Sequence, residues 1–88
     1  MNSKIEQKIG ENLRVLRERA GYTQEYVATK LQIHGCDITR SAVAKIEVGQ
    51  RHLYPDEIIL FKKILKVSYD LLLVTTLTGY CKYFFERI

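Results

Sequence analysis

Apolar residues at Ile5, Ile9, Leu13, Leu16 and Ala20 recur at intervals of four, four, three and four, the spacing of one buried stripe on an α-helix. Ser3 and Glu6 form a capping box that would open this helix, and Gly21 supplies a left-handed stop. Gly10 lies inside it at a cost of about 1 kcal/mol relative to alanine, so it is either tolerated or relieves a close contact. Thr23 caps a second helix with Glu25 in its first turn and Val27, Ala28 and Leu31 on one face; its N3 residue is Tyr26, so the box is only half made. The stretch from Gln32 to Ile38, with Gly35 and Asp37 inside it, predicts an irregular connection that is long for a turn.

A third helix follows, capped by Thr39 or Asp37 and ended by Gly49, with Val43 and Ile46 inward and Arg40, Ser41 and Lys45 outward. Pro55, Asp56 and Glu57 suit the first turn of a fourth helix, whose inner face would be Ile58, Phe61, Ile64 and Leu65. Ser68 caps a fifth from Tyr69 and Asp70, where Leu71 and Leu72 close the core. Beyond it Thr75, Thr76 and Thr78 favour extended structure, while Leu77, Cys81, Phe84 and Ile88 keep helical spacing and predict a last helix after Gly79. The pattern predicts an all-α chain without strands, divided into a domain over residues 1–74 and a C-terminal extension over 75–88.

A chain of 88 residues has room for one modest core. Its 47% hydrophobic and 27% charged content is that of an ordinary folded protein, which argues against disorder. The net charge of +4 and pI near 9.2 favour an acidic partner such as nucleic acid, and the distribution sharpens this. Between Ile38 and Tyr54 stand Arg40, Lys45 and Arg51 against one acid, Glu47. Lys62, Lys63, Lys66 and Asp70 interrupt the longest apolar candidate before the ~18 residues a bilayer span needs, and the N-terminus has no signal-peptide core. A cytoplasmic protein without membrane contact is expected, with Cys36 and Cys81 as thiols.

The order Ile9-Gly10-Glu11-Asn12-Leu13-Arg14, Leu16-Arg17, Gly21-Tyr22-Thr23-Gln24, Ala28, Leu31, Ile46-Glu47 and Gly49 resembles the lambda-repressor-like, XRE-type helix-turn-helix regulators over roughly Ile9 to Leu73. The resemblance implies a compact five-helix domain that binds double-stranded operator DNA as a homodimer, with the second helix of the motif in the major groove. By position Arg40, Ser41 and Lys45 would face base edges. Thr23, Gln24, Thr39, Gln50, Arg51 and His52 would hold the DNA backbone, and Gln24 would also brace the reading helix. Arg17 and Glu47 occupy the places of an internal ion pair between helices 1 and 3. The chain departs from the family in its longer connection between helices 2 and 3, where His34, Cys36 and Asp37 either approach the DNA backbone or pack on helix 2.

Rival chemistries are poorly supplied. Glu47 has no second carboxylate, serine or histidine at a spacing that would complete a reactive constellation, so no enzyme activity is expected. His34, Cys36 and Asp37 lack the paired knuckles of a zinc site, and neither metal nor cofactor is expected. Tyr80, Tyr83, Phe84 and Phe85 form an aromatic cluster which, with Ile59 and Leu60, serves either simple burial or a dimer interface. The alternative function is an antitoxin-like or other interaction module of the same fold, holding a protein partner through this tail.

Overall fold

The computed structural model describes residues 3–73, apart from the side chain of Ser3. The extension over 75–88, the helix after Gly79, the aromatic tail cluster, Cys81 and the Ser3 side of the capping box lie outside the described residues. Those described form five helices and no strand: α1 (Ser3–Arg19), α2 (Gln24–Ile33), α3 (Arg40–Glu47), α4 (Pro55–Leu65) and α5 (Tyr69–Leu73). The all-helical order is the one that the apolar spacing and the caps anticipate.

Leu13, Leu31, Val43, Ile46, Phe61 and Leu72 are almost wholly buried in one core to which every helix contributes. Each such side chain adds roughly 1.5–3 kcal/mol relative to exposure. The stripe on α1 is shorter than the spacing suggests. Ile9, Leu13 and Leu16 are inside, but Ile5 is 42% exposed and Ala20 lies at the surface. The helix instead buries two polar residues, Glu6 and Asn12. Asn12 donates its side-chain amide to the Leu72 carbonyl at 3.0 Å, so the end of the described chain is pinned to α1. On α4 the inner face is Glu57, Phe61, Ile64 and Leu65, with Ile58 only half-buried.

Three helices end in the same way. After α1 the Tyr22 amide reaches the Arg17 carbonyl and the Gly21 amide reaches Glu18; after α3 the Gln50 amide reaches Lys45 and the Gly49 amide reaches Ile46. Both are Schellman closures, with the glycine at φ +78°. The third was not anticipated: Cys36 bonds Leu31 and Gly35 bonds Gln32, so α2 runs on to Ile33 and Gly35 is its stop rather than part of a loose loop. The connection to α3 is thereby reduced to residues 34–39. It is tied down by the buried side chain of Ile38, whose carbonyl accepts from Gln32 Nε2 at 2.7 Å.

At Gly10 the backbone of α1 lies against that of α3. A Cβ there would overlap the Ile46 carbonyl oxygen and stand 2.9 Å from that of Glu47. The glycine lets the two backbones touch, which settles the choice between tolerance and close contact.

Candidate nucleic-acid interface

The threonine caps hold α2 and α3 at their N-termini. Thr23 Oγ1 accepts the Tyr26 amide at 2.9 Å, and Thr39 Oγ1 accepts the Ala42 amide at 3.1 Å. Each hydroxyl oxygen is used as an acceptor, so its own hydrogen stays available to an outside acceptor. Val43, Ile46 and Glu47 form the buried face of α3. The opposite face carries Ser41, Ala44, Lys45 and Val48 at the i, i+3, i+4, i+7 spacing of one stripe, with Arg40 at its leading edge. Arg40, Ser41 and Lys45 are exposed, Ala44 is half-buried and Val48 is 52% exposed. Among the described residues neither Arg40 nor Lys45 has an ion-pair partner.

Sequence reasoning missed Ala44 and Val48. Extending the outward spacing from Ser41 by three and seven residues would have found them.

One carboxylate fixes the angle of α3. Arg17 Nε donates to Glu47 Oε2 at 2.7 Å and Nη2 to Oε1 at 3.1 Å, a two-pronged pair in which both side chains are nearly buried. Gln24 Nε2 adds a third bond, 3.0 Å to Oε1, and Arg17 Nη1 holds the Tyr22 carbonyl at 2.8 Å. The hydrogen bond that Arg17 donates to Glu47 holds the guanidinium above its ordinary pKa, against the opposing effect of burial. The α1 to α2 corner and the end of α3 thus share one polar knot. Beside it a surface cleft is lined by Arg17, Gly21, Tyr22, Thr23, Gln24, Glu25 and Arg40, bringing the α2 cap next to the first residue of α3.

Past the end of α3 the candidate backbone-contact residues are handled differently from one another. Gln50 is exposed. Arg51 turns inward and forms a fork with Glu57, Nη1 to Oε1 at 2.9 Å and Nη2 to Oε2 at 3.0 Å, while Nη1 also reaches the His52 carbonyl. His52 Nδ1 lies 2.7 Å from Glu6 Oε2. On the connection to α3, Cys36 is half-buried against Glu57, whereas His34 and Asp37 are exposed.

Glu57 is the organiser that the sequence reading did not identify. It is 5% exposed and also accepts the Tyr54 amide at 3.1 Å. Burial alone would push its carboxyl up, but the Arg51 bond, the Tyr54 amide and the Arg51 charge outweigh it and hold the group below its ordinary value. Burial, with the Glu57 and Asp56 charges, pushes the Cys36 thiol up, which keeps it protonated and unreactive.

A carboxyl depressed in the folded state contributes stability that is complete above its unfolded pKa and is lost as pH falls through the folded value. Acid titration of the wild type should therefore show a loss of stability below the ordinary glutamate range. In Glu57→Gln, stability at neutral pH should be lower by about 2 kcal/mol and the acid-dependent slope shallower. Urea midpoints across pH measure both, and an unchanged slope in the variant would remove Glu57 from this role.

Among the described residues no group of three or more His, Cys, Asp or Glu side chains could hold a metal, and no helix is long and apolar enough to cross a membrane. No curated protein and no solved structure significantly matches the chain. A family model, HTH_3, described as helix-turn-helix, matches residues 13–72. That span runs from the middle of α1 to α5 and includes the α2 to α3 pair with its polar knot. The chain therefore belongs to the lambda-repressor-like, XRE-type helix-turn-helix family of DNA-binding transcription regulators.

Proposed function

We propose that the protein is a cytoplasmic repressor that binds an inverted-repeat operator as a homodimer, with α3 as the helix that enters the major groove. The observation that carries this reading is the exposed stripe of α3, whose charged members are unpaired within the described chain while the opposite face is locked in the core. Arg40 offers the fork that takes both acceptors of a guanine, and Ser41 and Lys45 supply further donors. Ala44 and Val48 present apolar surface suited to a thymine methyl.

Thr23, Gln24 and Thr39 would meet phosphates at the two helix N-termini, where backbone amides and the helix dipole favour an anion. Gln50, Arg51 and His52 would do so beyond α3; the pairing with Glu57 leaves Arg51 its Nε hydrogen and one on Nη2 for this contact. Exposed Ile59, Tyr69 and Leu73 on α4 and α5 support association of two copies. Two reading helices related by a two-fold would then lie ~34 Å apart, in successive major grooves.

Selection from random duplex DNA with wild type, Arg40→Ala and Lys45→Ala tests the reading. A palindrome should be recovered, and Arg40→Ala should relax one position of each half-site by about 1–3 kcal/mol. Lys45→Ala should relax a second position if it reads a base, or weaken all sequences alike if it holds a phosphate. With about four phosphates neutralised per subunit, affinity should fall by about 10⁴ between roughly 50 and 200 mM salt. Unenriched pools with a flat salt response would defeat the proposal.

A further inference from the structure

Glu6 is the least expected occupant of the interior. It sits near the start of α1, 8% exposed, with Oε2 2.7 Å from Nδ1 of His52, whose own side chain is 68% exposed. The two residues lie 46 positions apart and join the first helix to the segment that leaves the reading helix. A buried carboxylate needs a hydrogen-bond donor or an opposite charge, and His52 is placed to give it one or both.

The tautomer of the ring decides what the pair can do. With Glu6 ionised the carboxylate only accepts, so this contact puts the ring hydrogen on Nδ1, and a neutral imidazole in that tautomer has a bare Nε2 that also only accepts. A DNA phosphate offers acceptors alone, so neutral His52 cannot bond it. Once Nε2 takes a proton from solvent, the ring donates at both nitrogens, to Glu6 on one side and to phosphate on the other, and its positive charge lies between two negative ones.

Among the described residues around the ring, the charged or titratable groups of the cleft and of the facing turn of α1 are already engaged. The cleft here is lined by Glu6, Gly49, Gln50, Arg51, His52 and Tyr54. Of its charged or titratable members, Arg51 is held by Glu57 of α4, and Tyr54 is a phenol whose ring lies under the Arg51 guanidinium. On α1, Gln7 packs against Gly49 and is uncharged, and Lys8 is paired with Glu11.

We propose that Glu6 is a positioning residue that turns His52 into a proton-linked phosphate ligand, so that DNA binding takes up one proton per subunit at His52 Nε2. The inference rests on the reading that the segment after α3 meets the DNA backbone. Phosphate contacts are independent of sequence. A random-sequence duplex of about 30 base pairs therefore suffices as the probe, followed by fluorescence anisotropy at fixed low salt from about pH 5.5 to 8.5.

For the wild type, affinity should rise as pH falls, by up to about tenfold per pH unit for each proton taken up. His52→Gln should remove that component, leaving a flatter profile and weaker binding at acid pH. Glu6→Gln, which keeps an acceptor but not the charge, should shrink the rise, because the ring is no longer held with Nδ1 inward and Nε2 outward. A role of the pair as a simple tether would alter affinity in both variants without moving the pH slope. A slope shared by wild type and His52→Gln would overturn the inference while leaving DNA binding intact, whereas a wild type that bound no duplex at any pH would overturn both. Should Glu6→Gln lose its helical circular dichroism, the surface substitution His52→Gln decides alone.

Discussion

Replacing Glu47 with alanine is expected to lower the unfolding free energy by about 3–5 kcal/mol, the usual cost of breaking a buried ion pair by removing one partner. The loss is large because the carboxylate, 3% exposed, accepts from Arg17 twice and from Gln24 once. Without it the nearly buried Arg17 guanidinium keeps only the Tyr22 carbonyl and its weak approach to Glu18. Domains of this kind have about 5–15 kcal/mol in hand, so a substantial fraction of the variant should be unfolded at moderate temperature. The joint change Arg17→Met with Glu47→Leu should cost less than Glu47→Ala alone, since replacing both members of such a pair by apolar groups is often close to neutral. Urea unfolding of the two variants measures this. A Glu47→Ala midpoint within about 0.5 kcal/mol of wild type would show that the pair does not carry the assigned weight.

Gly10→Ala is expected to destabilise by about 2 kcal/mol or more, although the same change in an unobstructed helix would stabilise by about 1 kcal/mol. The sign follows from what the new methyl meets. Its neighbours are the backbone carbonyls of Ile46 and Glu47, which cannot rotate away as a side chain could. Relief requires α1 and α3 to separate, which stretches the Arg17 to Glu47 pair as well. If α3 reads the DNA as proposed, affinity should consequently fall by more than the folded fraction explains, because separating α1 from α3 displaces α3 within the folded domain. Thermal unfolding and anisotropy on one preparation separate the two effects, and a raised melting temperature would refute the close-contact account.

The frame was legible because its signals are local. Thr23, Thr39, Pro55, Gly21 and Gly49 act within one helical turn, and each does in the structure what its residue type predicts. Gly35 follows the same rule, but together with Asp37 it suggests an irregular connection, so the sequence leaves the last turn of α2 outside the helix. What the pattern could not reveal was polar burial satisfied over long distances in the chain. Glu6 finds His52, Asn12 finds the Leu72 carbonyl and Glu57 finds Arg51, and only the folded arrangement brings those partners together. Periodicity therefore assigns Ile5 and Ala20 to the core, whereas Glu6, beside Ile5, and Asn12 take inward positions and Ala20 lies at the exposed end of the helix. Of the candidate contact residues, the outward direction of Arg40, Ser41 and Lys45 could be read from spacing alone. The inward turn of Arg51 could not, because a guanidinium beside a basic surface looks the same in sequence whether it faces solvent or a buried acid.

The knot around Glu47 and the plug of Val43 and Ile46 hold α3 from behind, so its exposed outward side chains are expected to add little to the domain's stability. Arg40, Ser41, Lys45 and Val48 can therefore be randomised together in a combinatorial library with most members still folded. If this face reads the DNA as proposed, the scaffold is in that sense evolvable: new target preferences would be reached by exchanging a handful of letters, with no compensating repair of the interior.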